Sequence, residues 1–188
     1  MTTVFFDFET GGVQDHHPNI QLAAVAVDSQ WNELATFERK IQFNEADAEP
    51  EALKINHYDA EVWKAALPES KVVAEFAAFL KPFCCVEKTS KRGTPYYVAR
   101  IAGHNAATFD GPRLRRMFAD AGQFLPTDLH VRDTLQRALW WFDQKGEECK
   151  SFRLTELCKY FGVPVDDTAH DALTDVRLSI AIAKAMSA

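Results

Sequence analysis

The chain has 188 residues, 47% of them hydrophobic, enough for one compact domain with a sizeable core. Its net charge of −6 excludes a protein that coats nucleic acid through bulk positive charge. It does not exclude an enzyme that grips a few nucleotides and borrows positive charge from metal ions. No apolar run approaches the ~20 residues of a membrane span, and no basic stretch followed by an apolar one opens the chain as a secretory signal would.

Residues 3–8 read as a first strand, and residues 20–27 and 34–42 as two more, joined by a turn at 28–32. Short helices are expected at 50–55 and 59–66, and a firmer one at 70–83. There Val72, Val73, Phe76, Phe79 and Leu80 recur at helical spacing and Pro82 marks the end. Residues 87–95 are polar, basic and turn-prone, and are expected to form an exposed loop. Strand character returns at 96–102, a helix is predicted at 109–121, a short strand at 129–133 and a helix at 134–142. The pattern breaks at 143–151, and helices at 152–161 and 170–186 close the chain. Hairpins followed by strand–helix alternation imply an α/β fold, a mixed β-sheet flanked by helices, in a single domain over residues 1–188. Cys84, Cys85, Cys149 and Cys158 show neither metal-ligand spacing nor a disulfide framework, which fits reduced thiols and a cytoplasmic protein.

Asp7 and Glu9 stand one residue apart in the apolar run Val4-Phe5-Phe6-Asp7-Phe8-Glu9-Thr10-Gly11-Gly12. The side-chain period of a strand is two, so both carboxylates leave the same face. Buried together they repel and lose solvation, which a hard divalent cation would relieve. A strand end with two solvated acids explains the pair equally well. Three further acids bear on the choice. Asp110 follows Gly103-His104-Asn105, where a strand hands over to a helix, a usual place for ligands in open sheets. Asp175 lies in the last predicted helix, more than one turn after His170, so the two can approach one centre from different directions. Asp133, beside Thr134, is adequately explained as a helix cap, and Asp110 taken alone could be one as well.

Phe6-Asp7-Phe8-Glu9-Thr10-Gly11, His104-Asn105 with Phe109-Asp110, and His170 with Asp175 together resemble the three motifs of the DEDDh superfamily of 3′–5′ exonucleases. The resemblance runs from Thr3 nearly to the end of the chain and implies a ribonuclease H-like sheet. It implies Asp7, Glu9, Asp110 and Asp175 as ligands of two Mg²⁺ or Mn²⁺ ions, with His170 as general base. Thr10, Gly11 and Gly12 would lie against the terminal nucleotide, with Asn105 supporting the site. Two such ions can clamp a scissile phosphate, and a histidine with an intrinsic pKa of ~6.5 suits proton abstraction near neutral pH. Glycines after Glu9 let a nucleotide approach the backbone.

His104 and Asp110 are one residue further apart than is common in the superfamily. The spacing resembles exonuclease I and three-prime repair exonucleases, which favours DNA. Gln21 stands where a Glu is frequent. No polymerase-binding tail is read after the last helix, and the sequence leaves protein partners unknown. Outside the motifs, His16-His17 reads as a polar loop or as metal ligands, and Trp140-Trp141-Phe142 as a half-buried helix face or as base-stacking residues. Lys88, Lys91 and Arg92 form a basic loop, solvated or touching phosphates, and Arg113, Arg115 and Arg116 follow Asp110 on a helix with their facing unassigned. The expected activity is metal-dependent removal of nucleoside monophosphates from 3′ ends of single-stranded nucleic acid. Alternatives are a 3′–5′ exoribonuclease, a phosphatase with Asp7 as covalent nucleophile, and a non-catalytic nucleic-acid-binding module.

Overall fold

The computed structural model describes residues 1–165 and 171–187. Strand β1 (Thr3–Thr10) pairs antiparallel with β2 (Asn19–Val27), and β2 antiparallel with β3 (Glu33–Lys40). Helices α1 (Pro50–Ile55), α2 (Ala60–Trp63) and α3 (Glu69–Leu80) follow, the last running into a 3-10 turn that contains Pro82. Strands β4 (Cys84–Thr89) and β5 (Pro95–Ala99) form a separate two-stranded ribbon. Strand β6 (Ile101–Gly103) returns to the main sheet, parallel to β1. Then come α4 (Asp110–Asp120), β7 (Arg132–Asp133), α5 (Thr134–Lys145), α6 (Leu154–Tyr160) and α7 (Ala172–Ala185). The main sheet has the order β3-β2-β1-β6-β7, with β1, β6 and β7 parallel to one another.

Period-two alternation divides β1 between two cores. Val4, Phe6 and Phe8 pack on one face against Val72, Phe76, Leu114 and Phe118 of α3 and α4. Phe5 packs on the other with Ala23, Val25, Ala102 and the α7 residues Ala172, Val176, Ile180 and Ala183, which recur at helical spacing. Every residue of β2 is buried, as expected of a strand covered on both sides. The odd-numbered face of β1 therefore carries Phe5 under α7 and, further along the strand, Asp7 and Glu9. The mixed sheet flanked by helices is the predicted architecture.

Two local expectations are corrected. Residues 87–89 are not loop. Cys84–Thr89 alternates half-buried with exposed positions and pairs with β5, so Glu87 and Thr89 occupy the solvent side of a ribbon. The predicted strand at 96–102 is two strands in two sheets, divided at Arg100, whose carbonyl accepts the Val4 N–H at 2.9 Å.

Candidate active site

The carboxyl ends of β1, β6 and β7 lie on one edge of the sheet, and each delivers a piece of the site. Residues from β1 and α7 make its centre: one carboxylate oxygen from each of Asp7, Glu9 and Asp175 lies within 4.8 Å of the other two. Asp110 opens α4 and is 2% exposed; its Oδ1 accepts the Phe8 N–H at 3.2 Å. A negative charge there also sits favourably at a helix N-terminus. Asp110 is the first helical residue and not the cap, which is Phe109.

These acids strain one another electrostatically. Burial first, then the charges of Asp110, Glu9 and Asp175, holds the Asp7 carboxyl well above its usual range. Burial, then Asp175, Asp171 and Asp110, pushes Glu9 up to about 8. Burial also raises Asp110 to about 7, against the lowering effect of the Phe8 N–H and Arg113. Such mutual repulsion in a desolvated site is what hard cations with oxygen ligands relieve. His170 lies outside the described residues, whereas Asp171 immediately after it caps α7 by accepting the Thr174 N–H at 3.2 Å.

An open cleft of about 570 Å³ borders Asp175, with Asn105 on its rim and Leu135, Phe152 and Leu154 among its walls. Asn105 is exposed and adopts a left-handed backbone conformation (φ 56°), which asparagine tolerates better than most residues. Its side-chain oxygen accepts the Thr108 hydroxyl at 2.7 Å. His104 ties the cleft together: its Nε2 donates to the Phe152 carbonyl at 2.9 Å, and its Nδ1 accepts from the Thr134 hydroxyl at 2.9 Å. Burial lowers its pKa, in keeping with this neutral form.

The glycine turn after Glu9 is packed against the protein itself. Thr10 donates its hydroxyl to the Gly12 carbonyl at 2.9 Å. A Cβ on Gly11 would stand 2.7 Å from the Ala48 Cβ, and one on Gly12 (φ +154°) 2.1 Å from the His17 Nδ1. These glycines are therefore required by the packing of His17 and Ala48. His17 is buried, with Nδ1 accepting the Gln14 N–H at 3.2 Å and Nε2 3.5 Å from Glu49, a buried loop organiser. Arg113 is 1% exposed, and its guanidinium donates to the carbonyls of Gly12, Val13, Gln14 and His17. It pins this loop and is not available to a phosphate.

Sequence reasoning missed three supporting groups. Asp133 caps α5 by accepting the Leu135 and Gln136 N–H groups, as expected, and in addition accepts those of Asn105 and Ala107, which fixes the second motif. His104 was visible only as part of a motif, and its two bonds reach residues 30 and 48 positions away. Gln21 is 2% exposed, pairs in register with Glu9, and donates to Glu38 at 2.9 Å and to Asp171 at 3.0 Å. An amide donor between two acids is a role that the more frequent Glu could not fill while ionised. Trp140 is exposed whereas Phe142 is buried and Trp141 packs edge-on against Phe142, Tyr160 and Phe161, so this run is a half-buried helix face. Lys88 is held by Asp128 at 3.0 Å.

A cluster of buried and half-buried acids at the carboxyl edge of a ribonuclease H-like sheet, beside an open cleft, is the arrangement of a candidate metal centre. The chain belongs to the exonuclease family, whose sequence pattern matches residues 4–93 and 96–183. Protein NEN3 of Arabidopsis thaliana is 34% identical over 83 residues, 44% of this chain and 15% of that protein. E. coli exonuclease I in complex with a dT13 oligonucleotide superposes with a TM-score of 0.75 at 26% identity, over 97% of this chain and 40% of that one. The zinc-bound form of an E. coli exonuclease I–single-stranded DNA complex superposes with a TM-score of 0.76 at 25% identity, over 99% and 40%. The chain thus spans two fifths or less of each of these proteins. Among the described residues, no helix is long and apolar enough to cross a membrane.

Proposed function

We propose that this chain is a metal-dependent 3′–5′ exonuclease that releases nucleoside monophosphates from single-stranded 3′ ends, with DNA as the preferred substrate. The observation that carries the reading is the convergence of Asp7, Glu9 and Asp175 on one point, with Asp110 raising the pKa of both β1 acids. The donor set fits two Mg²⁺ or Mn²⁺ ions: it is all oxygen, drawn from three rigid elements, and short of positive charge. Asp7, Glu9, Asp175 and Asp110 would hold them. When bound, such ions polarise the scissile phosphate and lower the pKa of the attacking water.

The remaining roles belong to the chain's own groups. His170 takes the proton of the attacking water, and the Gln21–Asp171 hydrogen bond fixes the residue that follows it. The turn of Thr10, Gly11 and Gly12, held from behind by Arg113, seats the terminal nucleotide. Asn105 meets the nucleotide from the opposite rim, and Leu135 and Phe152 shield it from water. A preference for DNA is supported by the dT13 complex of exonuclease I and by the His104-to-Asp110 spacing. Four free cysteines fit a reducing cytoplasm.

The test is degradation of matched 5′-labelled DNA and RNA oligonucleotides, with Mg²⁺, Mn²⁺ or EDTA, by the wild type and by Asp7→Ala and His170→Ala. Stepwise shortening from the 3′ end, faster on DNA and lost in EDTA and in both variants, is expected. Undiminished activity in either variant would overturn the mechanism, and faster RNA shortening would overturn the substrate preference.

A further inference from the structure

A second cavity, of about 310 Å³, opens on the α7 face of the sheet and shares no lining residue with the cleft at Asp175. Its walls include Phe5, Trp31, Arg100, Arg132, Asp133 and Arg137. Phe5 precedes Asp7 by two residues, about 7 Å along the strand, so the cavity lies behind the carboxylate centre.

The charges around it do not cancel. Arg132 is paired with Asp128 at 2.8 Å. Asp133 spends its oxygens on the backbone N–H groups of Asn105, Ala107, Leu135 and Gln136. Among the described residues, Arg137 has neutral acceptors alone, the Met186 carbonyl at 2.9 Å and the Ser187 hydroxyl at 3.0 Å. The Arg100 Nε is buried with no hydrogen-bond partner. Among the described residues, neither of these two cavity-facing arginines has an anion of its own, in a chain of net charge −6. A buried charged donor without an acceptor is costly, and a bound anion removes that cost. Guanidinium forks match phosphate oxygens in geometry as well as charge. Beside them Trp31, backed by the buried Phe5 (ring centroids 6.3 Å apart, tilted by 52°), offers an aromatic surface of the kind on which bases stack. The volume is at the small end of ligand sites and suits one nucleotide.

We infer that this cavity binds a single nucleotide through its phosphate, with Arg100 and Arg137 as the phosphate ligands and Trp31 against the base. The ligand is either a free nucleoside monophosphate or the phosphorylated end of a strand. The inference does not need the nuclease reading, because its test runs without divalent metal. Binding of dAMP, deoxyadenosine and a 5′-phosphorylated dT oligonucleotide to the full chain is measured by calorimetry in EDTA, for the wild type, Arg100→Gln and Arg137→Gln. Each substitution should weaken the phosphate-bearing ligand at least about tenfold with the melting temperature unchanged, and deoxyadenosine should not bind. A response confined to dAMP or to the oligonucleotide identifies the source of the phosphate. If Arg100→Gln melts early, Arg137→Gln, on a different element, decides. Affinities for both phosphate ligands unchanged by the substitutions, or deoxyadenosine binding as tightly as dAMP, would overturn the assignment.

Discussion

The metal-free protein should lose stability as pH rises from about 5 to about 8.5, and Glu9→Gln should remove much of that loss. Burial and the neighbouring acids raise the Glu9 carboxyl from 4.5 to about 8. Between those values the native state holds a proton that the unfolded chain has released. The native state then binds more protons, so the stability of this group is fully present below the unfolded pKa and is lost as pH climbs through the folded one. At ~1.4 kcal/mol per unit, the interval of about 3.5 units amounts to on the order of 5 kcal/mol. That is an upper bound, because Asp7 and Asp110 share the same protons. It is still large against a total stability of ~5–15 kcal/mol. Asp110, raised to about 7, acts in the same direction. Asp128 does not interfere: hydrogen bonds from Arg132 and Lys88 outweigh its burial and hold it below the usual carboxylate range, so its contribution is lost only in stronger acid. The assay is urea unfolding in EDTA across this range, repeated with Mg²⁺. Wild-type stability should fall with pH in EDTA and recover with Mg²⁺ at the alkaline end. Glu9→Gln should show a shallower fall and a weaker recovery. A flat or rising wild-type profile in EDTA, or an equal slope in the variant, would refute the reasoning.

Other outcomes follow from single contacts. Gly12→Ala would bring a Cβ to 2.1 Å from the His17 imidazole; it should cost about 1–3 kcal/mol, read as a lower urea midpoint. Asp133→Ala removes the acceptor for four backbone N–H groups and should cost about 2 kcal/mol, with faster hydrogen exchange at Leu135 and Gln136. Gln21→Met breaks the links to Glu38 and Asp171. It should lower kcat on oligonucleotides about tenfold with KM unchanged, and a proportional change in KM would contradict a positioning role.

The sequence was most legible where period and chemistry coincide. The alternation of Val4, Phe6 and Phe8 with Phe5, Asp7 and Glu9 indicates the strand, its two faces and the paired acids at once. The meeting of Asp175 with that pair became readable only through the resemblance of the motifs, because no local pattern tells which helix crosses which strand. Arg113, Gln21 and His17 were not legible in their roles. Each acts through contacts to carbonyls or acids set by the tertiary fold, and its residue type is equally at home on a surface. The β4–β5 ribbon was misread because its outward side chains are as polar as those of a loop, and only pairing distinguishes the two.

The centre is unfavourable by itself, so the fold must hold it by other means. Asp7, Glu9, Asp110 and Asp175 gain nothing from one another at neutral pH, and their elements would separate if only their charges acted. Each acid is instead fastened by its apolar neighbours. Phe6 and Phe8 anchor β1 on one side and Phe5 on the other, Leu114 and Phe118 anchor α4, and Val176 and Ile180 anchor α7. Burying each such side chain contributes about 1.5–3 kcal/mol, so these seven together outweigh the cost worked out for Glu9. Because the anchors alternate with the acids along β1 and adjoin them on α4 and α7, the carboxylates cannot relax apart without exposing a core side chain. The acids are therefore held together by hydrophobic packing, the preorganisation that the proposed cation centre requires.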